Sequence, residues 1–210
     1  MAIPTESLPP PGRGSTEIDF LLGAFPRGQL SEIVGSWSSG GESLLLALLA
    51  RATAGGRLAA LVDGADAFDP TVAAAAGTDL SALLWVRCGG EITLALRAAD
   101  LLARCPGFAV VALDLGERVL TRRQPVPPAA WRRLQRAVEG SGAALVLRVP
   151  RHVAGAAAAL VLEAERGRAH WVGSPRPTRL DGLLSRVRVL RSRAPAPLQA
   201  EGVWTLSWQL

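Results

Sequence analysis

The sequence contains no lysine and no tyrosine, and its 210 residues include only one methionine, two cysteines and two histidines. Cys88 and Cys105 stand in no paired motif, which leaves a disulfide framework without support and suits a reduced, cytosolic chain. His152 and His170 have no cysteine or carboxylate at ligand spacing, so no metal site is expected. No apolar run approaches the roughly 20 residues of a membrane-spanning helix, Leu44–Ala50 being far too short. The opening MAIPTESLPPPGRG has neither a basic start nor an apolar stretch, and is not read as a signal peptide. No internal repeat, heptad pattern or Ser-His-Asp order is legible.

What is present is a packed-core composition, 49% hydrophobic and 20% charged, at a length suited to one ordinary domain. Residues 1–14, rich in Pro and Gly, read as a flexible leader, and residues 15–210 as a single core. All 23 basic residues are arginine, the mark of a coding preference. Their distribution is uneven. Residues 1–114 hold 7 Arg and 12 acids, net −5, whereas residues 115–210 hold 16 Arg and 6 acids, net +10. A split of that size suits contact with nucleic acid or with an acidic protein face.

Short apolar runs alternate with helical stretches. Strands are expected at 29–35, 57–63, 82–88, 108–115 and 143–149, and helices at 42–54, 92–104 and 128–140. The run Phe108–Leu115 is continuously apolar, as in a strand covered on both faces. This rhythm predicts an α/β fold, a mainly parallel sheet between helical layers. From about residue 158 the pattern turns to strands alone (160–166, 168–173, 185–192, 203–210), expected to extend one edge as antiparallel strands. Trp131 shares a helical face with Leu134 and Val138 and reads as core, while Asp69 before Pro70 reads as a helix cap. Cys88 and Cys105 read as small packing residues. Trp204 and Trp208 would share one face of the last strand.

The turn from Gly35 to Ser43, GSWSSGGES, joins an expected strand to an expected helix. Backbone N–H groups in such a turn and at the helix start can hold phosphate. Gly35 and Gly40 have the spacing of a phosphate loop, G-x-x-x-x-G-K-[ST], with Ser38, Ser39 and Ser43 between and beyond them. Gly41 stands at the lysine position and Glu42 at the hydroxyl position. The cation for the phosphates and the protein ligand for Mg²⁺ are thereby missing. A second negative charge about 4 Å from Glu42 would cost roughly 4 kcal/mol at an effective dielectric near 20. Glu42 lies in the first helical turn, where a carboxylate is favoured, and is expected to occupy the anion position itself.

The order of these segments resembles the RecA-type core, from about Ser15 to Leu210. FPRGQLSEIVGSWSSGGES resembles its first strand and phosphate loop, LVDGADAFDP the segment after its second strand, and VVALD the strand ending in its Mg²⁺-associated aspartate, here Asp114. The late VRVLRSRAPAPLQAEGVWTL resembles its closing strands. The resemblance places Ala65 where the family carries the glutamate that activates water, so no catalytic residue and no ATPase activity are expected. It places DNA-contacting loops after Asp114 and after residue 149, where Arg118, Arg122, Arg123, Arg148 and Arg151 stand, next to Arg132, Arg133 and Arg136 of the adjoining helix. These arginines form a candidate patch for DNA or a partner, with no aromatic stacking platform in either loop.

GGESLLLALLA (Gly40–Ala50) is similar to ImuA, an accessory family of damage-induced mutagenesis. That resemblance implies a non-catalytic adaptor in SOS-type translesion synthesis and DNA repair, cytoplasmic and nucleoid-associated. Its partners would be RecA or an ImuB-type polymerase relative, with DNA contact weak or indirect and no cofactor. Two alternatives stay open: an ATP-binding recombinase paralogue using the N–H groups of Ser38–Ser43 with Mg²⁺, and a SulA-like division inhibitor.

Overall fold

Those apolar runs assemble, in the computed structural model, into one sheet, which has eight strands among the described residues. The structure describes residues 23–116, 126–173, 179–193 and 199–205; the leader and Arg118, Arg122 and Arg123 lie outside them. The strands are β1 Leu30–Val34, β2 Leu58–Asp63, β3 Leu83–Arg87, β4 Phe108–Asp114, β5 Ala144–Val149, β6 Ala158–Val172, β7 Arg179–Ser192 and β8 Gln199–Thr205. Among the described residues the helices of four residues or more are α1 Gly41–Thr53, α2 Pro70–Ala75, α3 Ile92–Arg104 and α4 Pro128–Glu139. The sheet order is β3-β2-β4-β5-β1-β6-β7-β8; its first six strands run parallel, and β7 and β8 add antiparallel.

The period-two alternation of each parallel strand sends side chains into two cores. On one face Ile33, Leu61, Ala112, Val146 and Leu162 meet α1 through Leu44, Leu45, Leu48 and Leu49. Each of those four leucines is at most 3% exposed, contributing about 1.5–3 kcal/mol of burial. On the other face Leu30, Val62, Leu113, Leu145 and Leu147 meet α3 and α4, where Trp131, Leu134 and Val138 line the buried side of α4. Trp131 is 2% exposed, in line with its expected core role. Ala95, Ala99 and Ala103 form the buried stripe of α3.

Three expectations need correction. The runs at 160–166 and 168–173 are one strand, β6, carried past Gly167 by a register shift between Arg166 and Ala169. β6 pairs parallel with β1, so the antiparallel extension begins one strand later. Cys88 is buried, but Cys105, at the end of α3, is exposed with its Sγ near Leu101 O. Asp69 caps α2 by accepting from the N–H groups of Thr71 (2.8 Å) and Val72 (3.3 Å). The side chains of His170 and Trp204, and Trp208 altogether, lie outside the described residues.

Candidate functional site

At the carboxyl ends of the parallel strands, the chain leaves β1 through Gly35–Gly40 and enters α1. Gly35 N–H donates to Val149 O (3.0 Å), tying the loop to β5. A Cβ on Gly35 would stand 2.3 Å from Ser39 Oγ, so glycine alone lets the loop fold back on itself. Ser38 and Gly40 take left-handed backbone, with φ 58° and 94°. Ser39 N–H closes the turn onto Ser36 O (3.2 Å), and its hydroxyl is buried without a hydrogen-bond partner among the described residues. Ser36, Trp37 and Ser38 are exposed at the tip, and Arg166 donates to Trp37 O (3.2 Å). Ser43 is half-buried in the first turn of α1.

Beneath the loop, three polar residues form one rung of the sheet on the α1 face. Asp63 pairs with Asp114, and Asp114 with Arg148, across β2, β4 and β5. Asp63 is fully buried and organises the segment after β2. Its carboxylate accepts from the N–H groups of Ala67 and Phe68 (both 3.1 Å) and from Trp85 Nε1 (3.3 Å). Asp114 Oδ1 accepts from Gly116 N–H and from Arg148 Nη1, both at 3.0 Å. The Arg148 and Asp114 side chains are 16% and 10% exposed. Burial pushes the Asp114 carboxyl above its ordinary pKa, and Arg148 is the main opposing influence.

Glu42 departs from expectation. It is exposed at the first turn of α1, and no N–H donates to its carboxylate among the described residues. Desolvation by the surrounding protein raises its pKa; Arg148 opposes this, and Asp114, Asp63 and Asp69 add to it. A carboxylate seated in a ring of N–H donors would shift the other way. Ser39 N–H and Leu44 N–H are satisfied by Ser36 O and Gly40 O, and the aspartates below repel a third negative charge. Glu42 therefore adds to an acidic mouth instead of filling an anion site.

Ala65 lies against Gly116, since a Cβ built on Gly116 would stand 2.8 Å from the Ala65 methyl. Its neighbour Asp66, at φ 54°, turns away to pair with Arg87 (2.9 Å). Among the described residues no cluster of three or more His, Cys, Asp or Glu is placed to hold a metal ion.

The candidate arginine patch is divided. Arg148 belongs to the buried rung, because its position on β5 has the same parity as Ala144 and Val146, which face α1. Arg133 is a clamp between helices: with Arg104 it holds Asp100, whose side chain is 8% exposed, through contacts of 2.8–3.2 Å. Arg132 and Arg136 on α4, and Arg151 after β5, are exposed. The guanidinium bonds from Arg133, then those from Arg104, lower the Asp100 pKa from 3.8 to about 2. A depressed carboxylate stabilises the fold above its unfolded pKa and loses that contribution as pH falls through the folded one. Asp100→Asn is accordingly expected to cost about 1–2 kcal/mol at neutral pH, and chemical denaturation at pH 7 and pH 2 should show the difference shrinking at the lower pH.

Sequence reasoning passed over Glu32, in the middle of β1. It is fully buried, accepting from the N–H groups of Val153 (3.0 Å) and Ala154 (2.8 Å) and pairing with His152 Nδ1. A charged residue inside an otherwise apolar strand was the available signal.

A left-handed glycine turn between strand and helix, with an aspartate closing β4 beside it, defines a phosphate-loop α/β core. The chain belongs to the RecA family: the family described as the RecA N-terminal domain matches residues 6–123, more than half of it. Among curated proteins it is similar to Protein RecA of Chlorobaculum parvum, 33% identical over 150 residues, covering 63% of this chain and 43% of that protein. Protein RecA of Corynebacterium urealyticum is 38% identical over 111 residues, covering 53% of this chain and 30% of that protein. Protein RecA of Rubrobacter xylanophilus is 41% identical over 104 residues, covering 48% and 30%. The chain thus spans less than half the length of these relatives. No helix among the described residues is long and apolar enough to cross a membrane.

Proposed function

We propose that this chain is a non-catalytic RecA-like accessory protein of the ImuA type, acting in SOS-induced, error-prone translesion synthesis. It works through protein contacts with RecA or an ImuB-type polymerase relative, with DNA contact weak or indirect. The observation carrying this reading is the chemistry under the loop. Mg²⁺-bound ATP needs a lysine, a hydroxyl and an available aspartate. The chain offers Gly41, Glu42 and an Asp114 already bonded to Arg148 at 3.0 Å. Glu42, Asp63 and Asp114 set three carboxylates against one guanidinium around the mouth, which opposes a polyphosphate. These residues do not fit the nucleotide, and Ala65 lacks the group that would activate water.

A second reading, an ATP-binding recombinase paralogue, draws on the loop backbone. The left-handed turns at Ser38 and Gly40 and the buried Ser39 hydroxyl keep the shape of an anion cradle. Isothermal titration with ATP and Mg²⁺ separates the two. The adaptor reading expects no heat of binding up to millimolar nucleotide, and micromolar affinity would replace it with the second. The Gly41→Lys, Glu42→Thr variant, which restores cation and hydroxyl, is expected to gain affinity.

A further inference from the structure

β5 and β6 flank β1 in the sheet, so the chain must cross β1 between Val149 and Ala158. Val149 pairs with Val34 at the end of β1 and Ala158 with Leu30 at its start. Residues 150–157 therefore run back along the whole strand. Crossovers between parallel strands usually need a dozen or more residues and a helix; this one has eight and lies on the α4 face, with Val153, Ala154 and Ala157 in that core. Glu32 captures its middle from below through Val153 N–H, Ala154 N–H and His152. Arg191 of β7 and Arg193 just after it clamp its end: Arg191 Nη1 donates to Gly155 O (3.0 Å) and Arg193 Nη2 to Ala156 O (2.9 Å).

This construction gathers cations that lie 40 residues apart in sequence. Arg191 and Arg193 are exposed where they grip the turn. Arg151 is exposed and makes no hydrogen bond or ion pair among the described residues, and the His152 side chain is 42% exposed. The crossover itself carries no carboxylate, and among the described residues the one bonded to it, Glu32, is fully buried. Its backbone is held from both ends, so little ordering is required on contact.

We propose that the crossover, with Arg151, His152, Arg191 and Arg193, is a docking surface for an acidic peptide segment of a partner protein. The inference rests on the adaptor reading, since it names the chemistry of the partner. Arginine forks match carboxylates in paired hydrogen bonds. A single strand of nucleic acid is held by a long basic groove with aromatic platforms. The crossover is short, and neither tryptophan exposed among the described residues, Trp37 or Trp171, belongs to it. Fluorescence anisotropy on the full chain tests this with a labelled glutamate-rich peptide and an oligonucleotide of equal charge. Arg151→Glu is expected to weaken the peptide at least tenfold while leaving the thermal midpoint in place. Arg97→Glu, on the exposed face of α3, is expected to leave the affinity within twofold. No peptide binding, or equal affinity in wild type and Arg151→Glu, overturns the proposal. Tighter binding of the oligonucleotide, lost with Arg151→Glu, also overturns it and assigns the surface to nucleic acid. ATP titration reads the adaptor reading separately, so failure of one does not imitate failure of the other.

Discussion

Glu32→Ala is expected to lower the unfolding free energy by about 3 kcal/mol or more, because it orphans two inward N–H groups at roughly 1–3 kcal/mol each. Both N–H groups, from Val153 and Ala154, converge on the same oxygen, Oε1, while His152 meets the other. That arrangement makes Glu32→Gln the informative companion. Its amide oxygen can accept both N–H groups, and its amide nitrogen can donate to a neutral His152. The glutamine variant should therefore keep most of the stability, within about 1 kcal/mol of wild type. Urea denaturation measures both. If alanine and glutamine cost the same, the carboxylate is not holding the crossover and its backbone must find other partners.

The parallel part of the sheet was legible because its signals are local. Each run from β1 to β5 shows its apolar stretch, a glycine, proline or charged stop, and a helix of opposite periodicity beside it. The division of the 160–173 segment into two strands failed at Gly167, where a glycine reads as a turn but serves here as an irregularity within β6. The candidate site was legible in residue type and not in pairing. Gly35, Gly40 and Asp114 fall where the pattern puts them. Nothing local reveals that Arg148 lies beside Asp114, since that depends on the register of β4 against β5. Arg133 reads in the sequence as part of a candidate patch for DNA or a partner, whereas the structure ties it to Asp100, 33 residues away, through helix packing. Glu42 failed for an electrostatic reason: a first-turn carboxylate is favoured by helix N–H groups, but here desolvation by the surrounding protein, with a smaller contribution from Asp114 and Asp63, pushes its pKa up despite Arg148.

The same register gives Arg148→Met the other large effect. Removing one partner of a buried ion pair leaves its mate uncompensated, typically at a cost of 3–5 kcal/mol. Asp114 would keep Gly116 N–H and lose the charge that opposes its desolvation and the repulsion from Asp63. Its pKa, already raised, would rise further. A raised carboxylate favours the fold while protonated and loses that advantage as pH climbs above the unfolded value. The deficit of Arg148→Met against wild type should therefore be about 3–5 kcal/mol at pH 7 and markedly smaller near pH 4. The deficit of Asp100→Asn shrinks in the same direction but in a lower window, only toward pH 2. Pairing Arg148→Met with Asp114→Leu removes both charges and should recover most of the loss, because well-packed apolar replacements of such pairs are commonly neutral. A double variant as unstable as the sum of the two single changes would show that Asp114 and Arg148 act independently. Asp114 would then be open to a metal ion, and the case for a nucleotide-independent core would have to rest on Gly41 and Glu42 alone.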